Sequence, residues 1–214
     1  MIEPVRSKTG RAYLLEHRGV LTLVDTGFTG SLPRIRAAAG RLGRSLEDIR
    51  QVVLTHCHGD HAGEAARLRE AFGTGLVAGA ADLGVLEGRD PYPFAPNPVM
   101  RTAYGFLQRY RRFTPDVLLS ERAELDGGLE AIPAPGHTPG HVAVWAPDHG
   151  ALFAGDAAWN LGWLRPDWAW FSQDPARSRE TLHELAGLRP ASLWLGHGPP
   201  VRRGAADRLR DLTR

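Results

Sequence analysis

One run of six residues limits what this chain can fold into more than any other feature of its sequence. Residues 56–61 read His-Cys-His-Gly-Asp-His and follow closely on the apolar stretch Gln51–Leu54. A short apolar stretch of this kind is typical of a buried strand. Imidazole nitrogen and carboxylate oxygen together suit zinc, with iron and manganese as alternatives. The run therefore predicts a metal site at the end of a strand.

Further His and Asp residues stand in similar surroundings later in the chain. Each follows a strand-like apolar run and has Gly or Pro beside it; they are His137, Asp156 and His197. Side chains at strand ends converge on one edge of a sheet, and glycine lets the backbone pass close to such a cluster. We therefore expect these three residues to join the run at 56–61.

The resulting set of ligands is too large for one tetrahedral ion and predicts two divalent metal ions. One ion is assigned to His56, His58 and His137. The other ion is assigned to Asp60, His61 and His197. Asp156 is expected to give one oxygen to each ion. Two cations would also lower the pKa of a shared water, so that a bridging hydroxide exists near neutral pH.

The elements around these motifs predict an α/β fold. Strand signals fall at 12–15, 20–24, 51–54, 76–78, 117–119, 129–132, 142–146, 151–154 and 192–195. Helix signals fall at 32–42, 63–72 and 99–113, and at a further helix from Asp174 to about 188. Layers of sheet covered by helices are the expected arrangement, although periodicity alone leaves the topology open. Residues 1–214 are taken as one domain, and 88–114 as an inserted lid.

Several motifs together resemble the metallo-β-lactamase superfamily. They are Leu23–Gly27, Thr55–Gly63, Ala134–His141, Phe153–Asp156 and Gly196–Pro200, and they follow the family's order. The resemblance implies a four-layer αββα sandwich with a two-metal site on its edge, and it implies the same division of ligands between the ions. It also implies that Asp25 supports the loops of the metal site. His141 is expected to orient a ligand or to contact substrate.

The reaction predicted from these features is hydrolysis of an ester, thioester or lactone by a bridging hydroxide. Asp60 is the candidate to orient that hydroxide or to move its proton. The resemblance leaves other activities open: iron-dependent persulfide dioxygenase, phosphodiesterase or nuclease, and β-lactamase. Asp156 argues against β-lactamase as the main activity, since the family's zinc β-lactamases generally have Cys or Ser there. Glyoxalase II-like members share the ligands but have a longer helical C-terminal portion.

Aromatic residues are concentrated in the lid and in the segment after Asp156. An apolar substrate cleft would explain this pattern, and Tyr104, Trp159 and Trp163 are its candidate substrate contacts. Packing of the lid against the core, or a contact in a homodimer, explains the pattern equally well.

The composition limits which classes of partner the chain is expected to bind. A net charge of +2 is too small to favour nucleic acid, and no apolar stretch is long enough to span a membrane. The N-terminus has no signal for secretion, and Cys57, the one cysteine, is expected to be a small packed residue. We therefore expect a cytoplasmic enzyme that acts on a small molecule, with a homodimer left open.

Overall fold

The computed structural model describes residues 1–6, 10–92 and 109–212. Its strands are β1 Ile2–Arg6, β2 Arg11–His17, β3 Val20–Val24, β4 Ile49–Val53, β5 Gly75–Gly79, β6 Val117–Leu119, β7 Ala123–Leu125, β8 Leu129–Pro133, β9 Val142–Ala146, β10 Ala151–Gly155, β11 Ala158–Asn160, β12 Leu164–Pro166 and β13 Ser192–Leu195. Its α-helices are α1 Leu32–Arg41, α2 Gly59–Ala62, α3 Ala65–Phe72, α4 Leu83–Leu86, α5 Pro175–Ala186 and α6 Ala205–Leu212.

The strands form two large sheets and one small hairpin. The first sheet runs in the order β1-β2-β3-β4-β5-β6, the second in the order β13-β10-β9-β8-β7, and β11 pairs with β12. Strands β3 to β6 are parallel to one another. In the second sheet β13 is parallel to β10, and β9 is antiparallel to both β8 and β10. The carboxyl ends of β8, β10 and β13 therefore lie at one edge.

Alternation along the strands of the first sheet gives it two apolar faces. Leu14 and Leu23 pair across β2 and β3 and pack in a cluster with the helices. Their chain neighbours Leu15 and Val24 belong to a different cluster, which also contains Phe153 of the second sheet. Because side chains alternate between the faces of a strand, one sheet separates two cores.

The outer faces of both sheets are covered by helices. Ile35 of α1 and Leu68 of α3 pack in the core over the first sheet. Leu182 of α5 and Leu209 of α6 pack in the core over the second sheet, with Leu152 beneath them. The order of layers is helix, sheet, sheet, helix, so the predicted αββα sandwich is confirmed.

The structure refines the predicted elements. β2 and β3, at the two predicted strands 12–15 and 20–24, form a hairpin through a two-residue turn, Arg18-Gly19, in which both φ angles are positive. That geometry matches the right-handed twist of the flanking strands. The helix predicted from Asp174 is α5, and Asp174 caps it, since its side chain accepts hydrogen bonds from the amides of Ala176 and Arg177. The sequence analysis missed β1, β7, α2, α4 and the β11–β12 hairpin, all of which are short. The helix predicted at 99–113 is wrong over its described part, since residues 109–113 have no regular structure.

Two further predictions concern the lid and the absence of a membrane span. The lid predicted at 88–114 falls mainly on residues 93–108, which lie outside the described residues, so it stays a prediction. Every helix in the described ranges is too short or too polar to cross a lipid bilayer.

Hydrogen bonds join the two sheets where the metal motifs begin. The amide of Val142 donates to the carbonyl of Thr55 over 2.7 Å, and the amide of Arg11 donates to the carbonyl of Gly196 over 2.9 Å. The buried hydroxyl of Tyr13 donates to the carbonyl of Leu195 over 2.6 Å. These bonds fix the strand ends of one sheet against those of the other.

Removing the Tyr13 hydroxyl should loosen this connection. We expect Tyr13→Phe to lower the free energy of unfolding by about 1–3 kcal/mol, because it leaves the buried Leu195 carbonyl without a donor. Urea titration measures this change. Thr114→Val is the control and should change stability by less than about 0.5 kcal/mol, since the Thr114 hydroxyl donates to Glu87 at the exposed surface. Equal losses of stability in the two variants would contradict the role of the Tyr13 hydroxyl in joining the two sheets.

Candidate metal centre

The ends of several strands supply the predicted ligands. His56 and His58 follow β4, and the one-turn helix α2 presents Asp60 and His61 directly afterwards. His137, Asp156 and His197 follow β8, β10 and β13 respectively. Six of the seven side chains are buried, and His197 is partly buried. The structure thus brings the whole predicted set to one edge of the sandwich.

Three ring nitrogens form the first group. His58 Nδ1 lies 3.0 Å from His56 Nε2 and 3.2 Å from His137 Nε2. These three residues can offer ligand atoms that all lie within 4.8 Å of one another. The grouping is the one predicted for the first ion.

The second group combines carboxylate and imidazole. Asp60 Oδ2 lies 3.3 Å from His197 Nε2 and 3.8 Å from His61 Nε2. These three residues meet the same distance criterion for holding an ion. The grouping is the one predicted for the second ion.

Asp156 lies between the two groups. Its Oδ2 is 3.1 Å from His197 Nε2 and 3.7 Å from His137 Nε2. Its Oδ1 is 3.4 Å from His61 Nε2. One carboxylate therefore faces histidines of both groups, as a bridging ligand must.

Hydrogen bonds at the outer ring nitrogens turn three of the histidines inward. The Nδ1 atoms of His56, His61 and His137 lie 3.0 Å from Thr55 Oγ1, 2.8 Å from Asp25 Oδ2 and 3.1 Å from Asp167 Oδ2. Such partners fix which nitrogen of a metal-binding histidine carries the proton. Each Nε2 then faces the centre, where it offers a lone pair to a metal ion once it carries no proton.

Asp25 connects the ends of β3 and β4. Its Oδ1 accepts a hydrogen bond from the amide of Thr55 over 2.7 Å, and its Oδ2 accepts one from the Thr55 hydroxyl over 2.9 Å. Since the Thr55 proton goes to Asp25, the Thr55 oxygen can accept from His56. Asp25 has a φ angle of 59°, a strained conformation for a residue with a side chain, which is frequent at functional sites.

Unsatisfied atoms and protonation both fit a bound cation. His61 Nε2 and Asp156 Oδ1 are buried without a hydrogen-bond partner in the described structure. Burial and the charge of His137 lower the pKa of His58 to about 3, which keeps a lone pair available. Burial also disfavours charge on His61, but Asp156 and Asp25 outweigh this effect and raise its pKa to about 9. The carboxylates thus attract positive charge that metal ions can supply.

A glycine leaves room for the centre beside β13. A Cβ atom placed on Gly196 would come within 2.0 Å of Asp156 Oδ1 and 2.7 Å of His61 Cε1. Any larger residue would displace both predicted ligands. Position 196 therefore requires glycine, because only a residue without a side chain leaves room for these two ligands.

His141 lies behind the ligands. Its Nε2 accepts a hydrogen bond from the amide of Asp156 over 3.2 Å, and its ring stacks on that of His56 at 5.3 Å. His141 was predicted either to orient a ligand or to contact substrate. These two contacts suit the first role, because they hold Asp156 and His56 in place.

Asp82 is a buried carboxylate that the sequence analysis missed. It accepts hydrogen bonds from the amide of Cys57 over 3.0 Å, the hydroxyl of Thr138 over 2.8 Å and the amide of Gly140 over 2.8 Å. It therefore joins the loop that carries His56 and His58 to the loop that carries His137. Cys57 is buried, as predicted for a packed residue, and its burial raises the pKa of its thiol.

The predicted substrate contacts have different surroundings. Tyr104 lies outside the described residues. Trp159 is buried with its ring 5.0 Å from that of His197. Trp163 is 68% exposed and lines a surface cleft. Tyr110 lies within the described residues, and its hydroxyl donates to the carbonyl of Cys57 over 2.7 Å. This tyrosine therefore holds the loop that carries His56 and His58.

The model of the metallo-beta-lactamase superfamily matches residues 8–197, which include every residue of the candidate centre. The chain belongs to the metallo-β-lactamase superfamily. Its relatives are metal-dependent hydrolases, and within this superfamily the His and Asp clusters of the chain are a candidate metal site.

Individual members of the superfamily resemble the chain over different lengths. The uncharacterized protein YobT of Bacillus subtilis is 31% identical over 92% of this chain and 86% of its own length. A hydroxyacylglutathione hydrolase of Rhodobacter capsulatus is 30% identical over 79% of this chain, but over only 56% of its own length. The crystal structure of TTHA1623 in a di-iron-bound form has a TM-score of 0.70 and 27% identity, covering 94% of this chain and 93% of its own.

We expect Asp82→Ala to weaken metal binding as well as stability. The substitution leaves three donors on two metal-site loops without an acceptor, which should cost roughly 2–4 kcal/mol of unfolding free energy. Metal content after dialysis and urea titration measure the two effects. Asp116→Ala, at a half-exposed carboxylate, is the control and should retain its metal. Full metal retention in Asp82→Ala would refute the positioning role of Asp82.

Proposed function

We propose that this metallo-β-lactamase superfamily member is a binuclear hydrolase that cleaves an ester, thioester or lactone. The observation that carries the proposal is the position of Asp156, which faces histidines of both ligand groups. A single-ion site would need only one of these groups. A small molecule is the proposed substrate.

The donor set supports two divalent ions, with zinc as the first choice. Five imidazoles and two carboxylates, with no thiolate, are ligands that zinc, iron and manganese all accept. The di-iron form of TTHA1623 makes iron the alternative to be tested first. When bound, two such ions supply a hydroxide nucleophile near neutral pH and polarise a carbonyl oxygen.

The residues around the ions hold the reacting groups in place. Burial raises the pKa of Asp60, but His61 and a hydrogen bond with His197 outweigh this effect and hold it at about 2. Asp60 is therefore ionised, and we expect its carboxylate to orient the attacking water by accepting a hydrogen bond from it. Asp25 and Asp167 keep their histidines in the orientation that faces the substrate.

The class of substrate follows from the leaving group. The Tyr110 hydroxyl is unavailable as a proton donor to the leaving group, because it donates to the carbonyl of Cys57. With no strong acid among the described residues facing the centre, a leaving group that departs as a stable anion is favoured. Thioesters and activated esters meet this need, and the relative named hydroxyacylglutathione hydrolase acts on a glutathione acyl derivative.

Substitution of the proposed ligands should separate chemistry from folding. His58→Ala and Asp156→Ala should abolish detectable turnover and reduce metal content, while circular dichroism shows a folded chain. The matched controls are His149→Ala and Asp148→Ala, which lie in a separate surface cluster with His17 and should keep wild-type activity.

The assay should include a thioester, a lactone, a β-lactam, a phosphodiester and a persulfide. Metal-dependent hydrolysis of the thioester or lactone is expected to exceed that of the other two hydrolysable substrates. Oxygen uptake with the persulfide, or faster cleavage of the phosphodiester or β-lactam, would assign a different activity to the centre.

A further inference from the structure

A surface cleft of about 920 Å³ lies along the segment from Trp163 to Arg179. Its walls are aromatic, and two of its tryptophans, Trp163 and Trp170, are 68% and 64% exposed. The volume falls within the range of small-molecule sites. Large flat side chains left exposed around a concave surface indicate an apolar ligand that covers them.

The cleft also offers positive charge that the chain does not neutralise. Arg165 and Arg179 line it, and neither guanidinium forms an ion pair with a residue of the described ranges. The Arg165 guanidinium lies 4.8 Å from the centre of the Trp168 ring, which holds it over the aromatic wall. Guanidinium groups placed in this way are suited to bind a carboxylate.

The one carboxylate that lines the cleft cannot neutralise these arginines. Asp167 Oδ2 contacts His137 Nδ1 at 3.1 Å, and its Oδ1 accepts a 2.7 Å hydrogen bond from the Ser178 hydroxyl. Both oxygens of Asp167 are therefore engaged inside the protein. The net charge presented by the described lining is positive.

The inner wall of the cleft is shared with the metal centre. Asp167 lines the cleft and directly contacts His137 of the first ligand group. Trp168 and Phe171 line it and pack at 5.3 and 5.6 Å against Trp159, whose ring lies 5.0 Å from His197 of the second group. The cleft therefore adjoins the metal centre, with Asp167 and Trp159 forming the wall between them.

We propose that this cleft binds a flat apolar group bearing a carboxylate, and that this group is the part of the substrate that does not react. The inference rests on the proposed function, since it assigns the cleft to the substrate of the same centre. The tryptophans contact the apolar face of the ligand, and Arg165 and Arg179 bind its carboxylate. The hydrolysable bond then lies beyond the wall formed by Asp167 and Trp159, on the side of the histidines.

Binding tests the cleft without any chemistry. The probes are 1-naphthylacetate and the neutral 1-naphthylacetamide, titrated into the metal-loaded protein and followed by calorimetry. The anion should bind at least about tenfold more tightly than the amide, and the Arg165→Gln/Arg179→Gln variant should lose that preference. The control Arg36→Gln, on exposed helix α1 of the opposite outer layer, should keep it.

Kinetics test whether the cleft serves the reaction. The paired substrates are the mono-4-nitrophenyl ester of 1,4-phenylenediacetic acid and its methyl ester, which lacks the free carboxylate. Wild-type kcat/KM should favour the acid by about tenfold or more, and the double arginine variant should hydrolyse both equally.

The outcomes distinguish this proposal from the proposed function. Arginine-dependent binding without hydrolysis of any ester would support the cleft and contradict the function. Hydrolysis with the same preference in the double variant would support the function and overturn the cleft. Naphthylacetate binding that survives the double variant but disappears in Asp156→Ala would place the anion on the metals, which also overturns the cleft. The variant Trp163→Ala adds a further test. If it changes the oligomeric state but neither naphthylacetate binding nor kcat/KM, the cleft is a contact with a second copy of the chain, and the proposal is overturned.

Discussion

The structure depends on imidazole rings whose outer nitrogens are engaged, so that their inner nitrogens must face one another. Hydrogen bonds to Thr55, Asp25 and Asp167 turn the Nε2 atoms of His56, His61 and His137 inward and leave lone pairs on those of His56 and His137. His58 Nδ1 lies close to two of these lone pairs and can give a proton to only one of them. Burying such a cluster is costly unless a cation is shared among its members. The geometry is therefore that of a binding site rather than of a packed core.

The sandwich makes this arrangement by aligning strand ends from both sheets. Parallel strands bring their carboxyl ends to one edge, where loops rather than regular structure carry the polar residues. Bonds such as that between Tyr13 and Leu195 hold the edges of the two sheets together. Asp82 then connects the histidine loops directly. The β11–β12 hairpin contributes Asp167 through the loop after β12, which lies between the metal centre and the aromatic cleft.

The sequence predicted the ligands better than their supports. The ligands stand in glycine-rich motifs after strands, a pattern visible in a single sequence, and the structure places all seven together. Asp82 and Asp167 stand in no such motif and are brought to the centre only by tertiary folding, so no local signal identified them. The β11–β12 hairpin was missed because its strands have three residues each, which is too few to show an alternating pattern. Tyr104 lies in a segment that is not described.

Anomalous diffraction from crystals of the purified protein, recorded at the zinc and iron absorption edges, tests the central claim most directly. The account predicts two peaks of anomalous density, one among His56, His58 and His137 and one among Asp60, His61 and His197, with Asp156 between them. The edge at which the peaks appear identifies the metal. A single peak, or side chains turned away from an empty centre in crystals grown with excess zinc, would contradict the account.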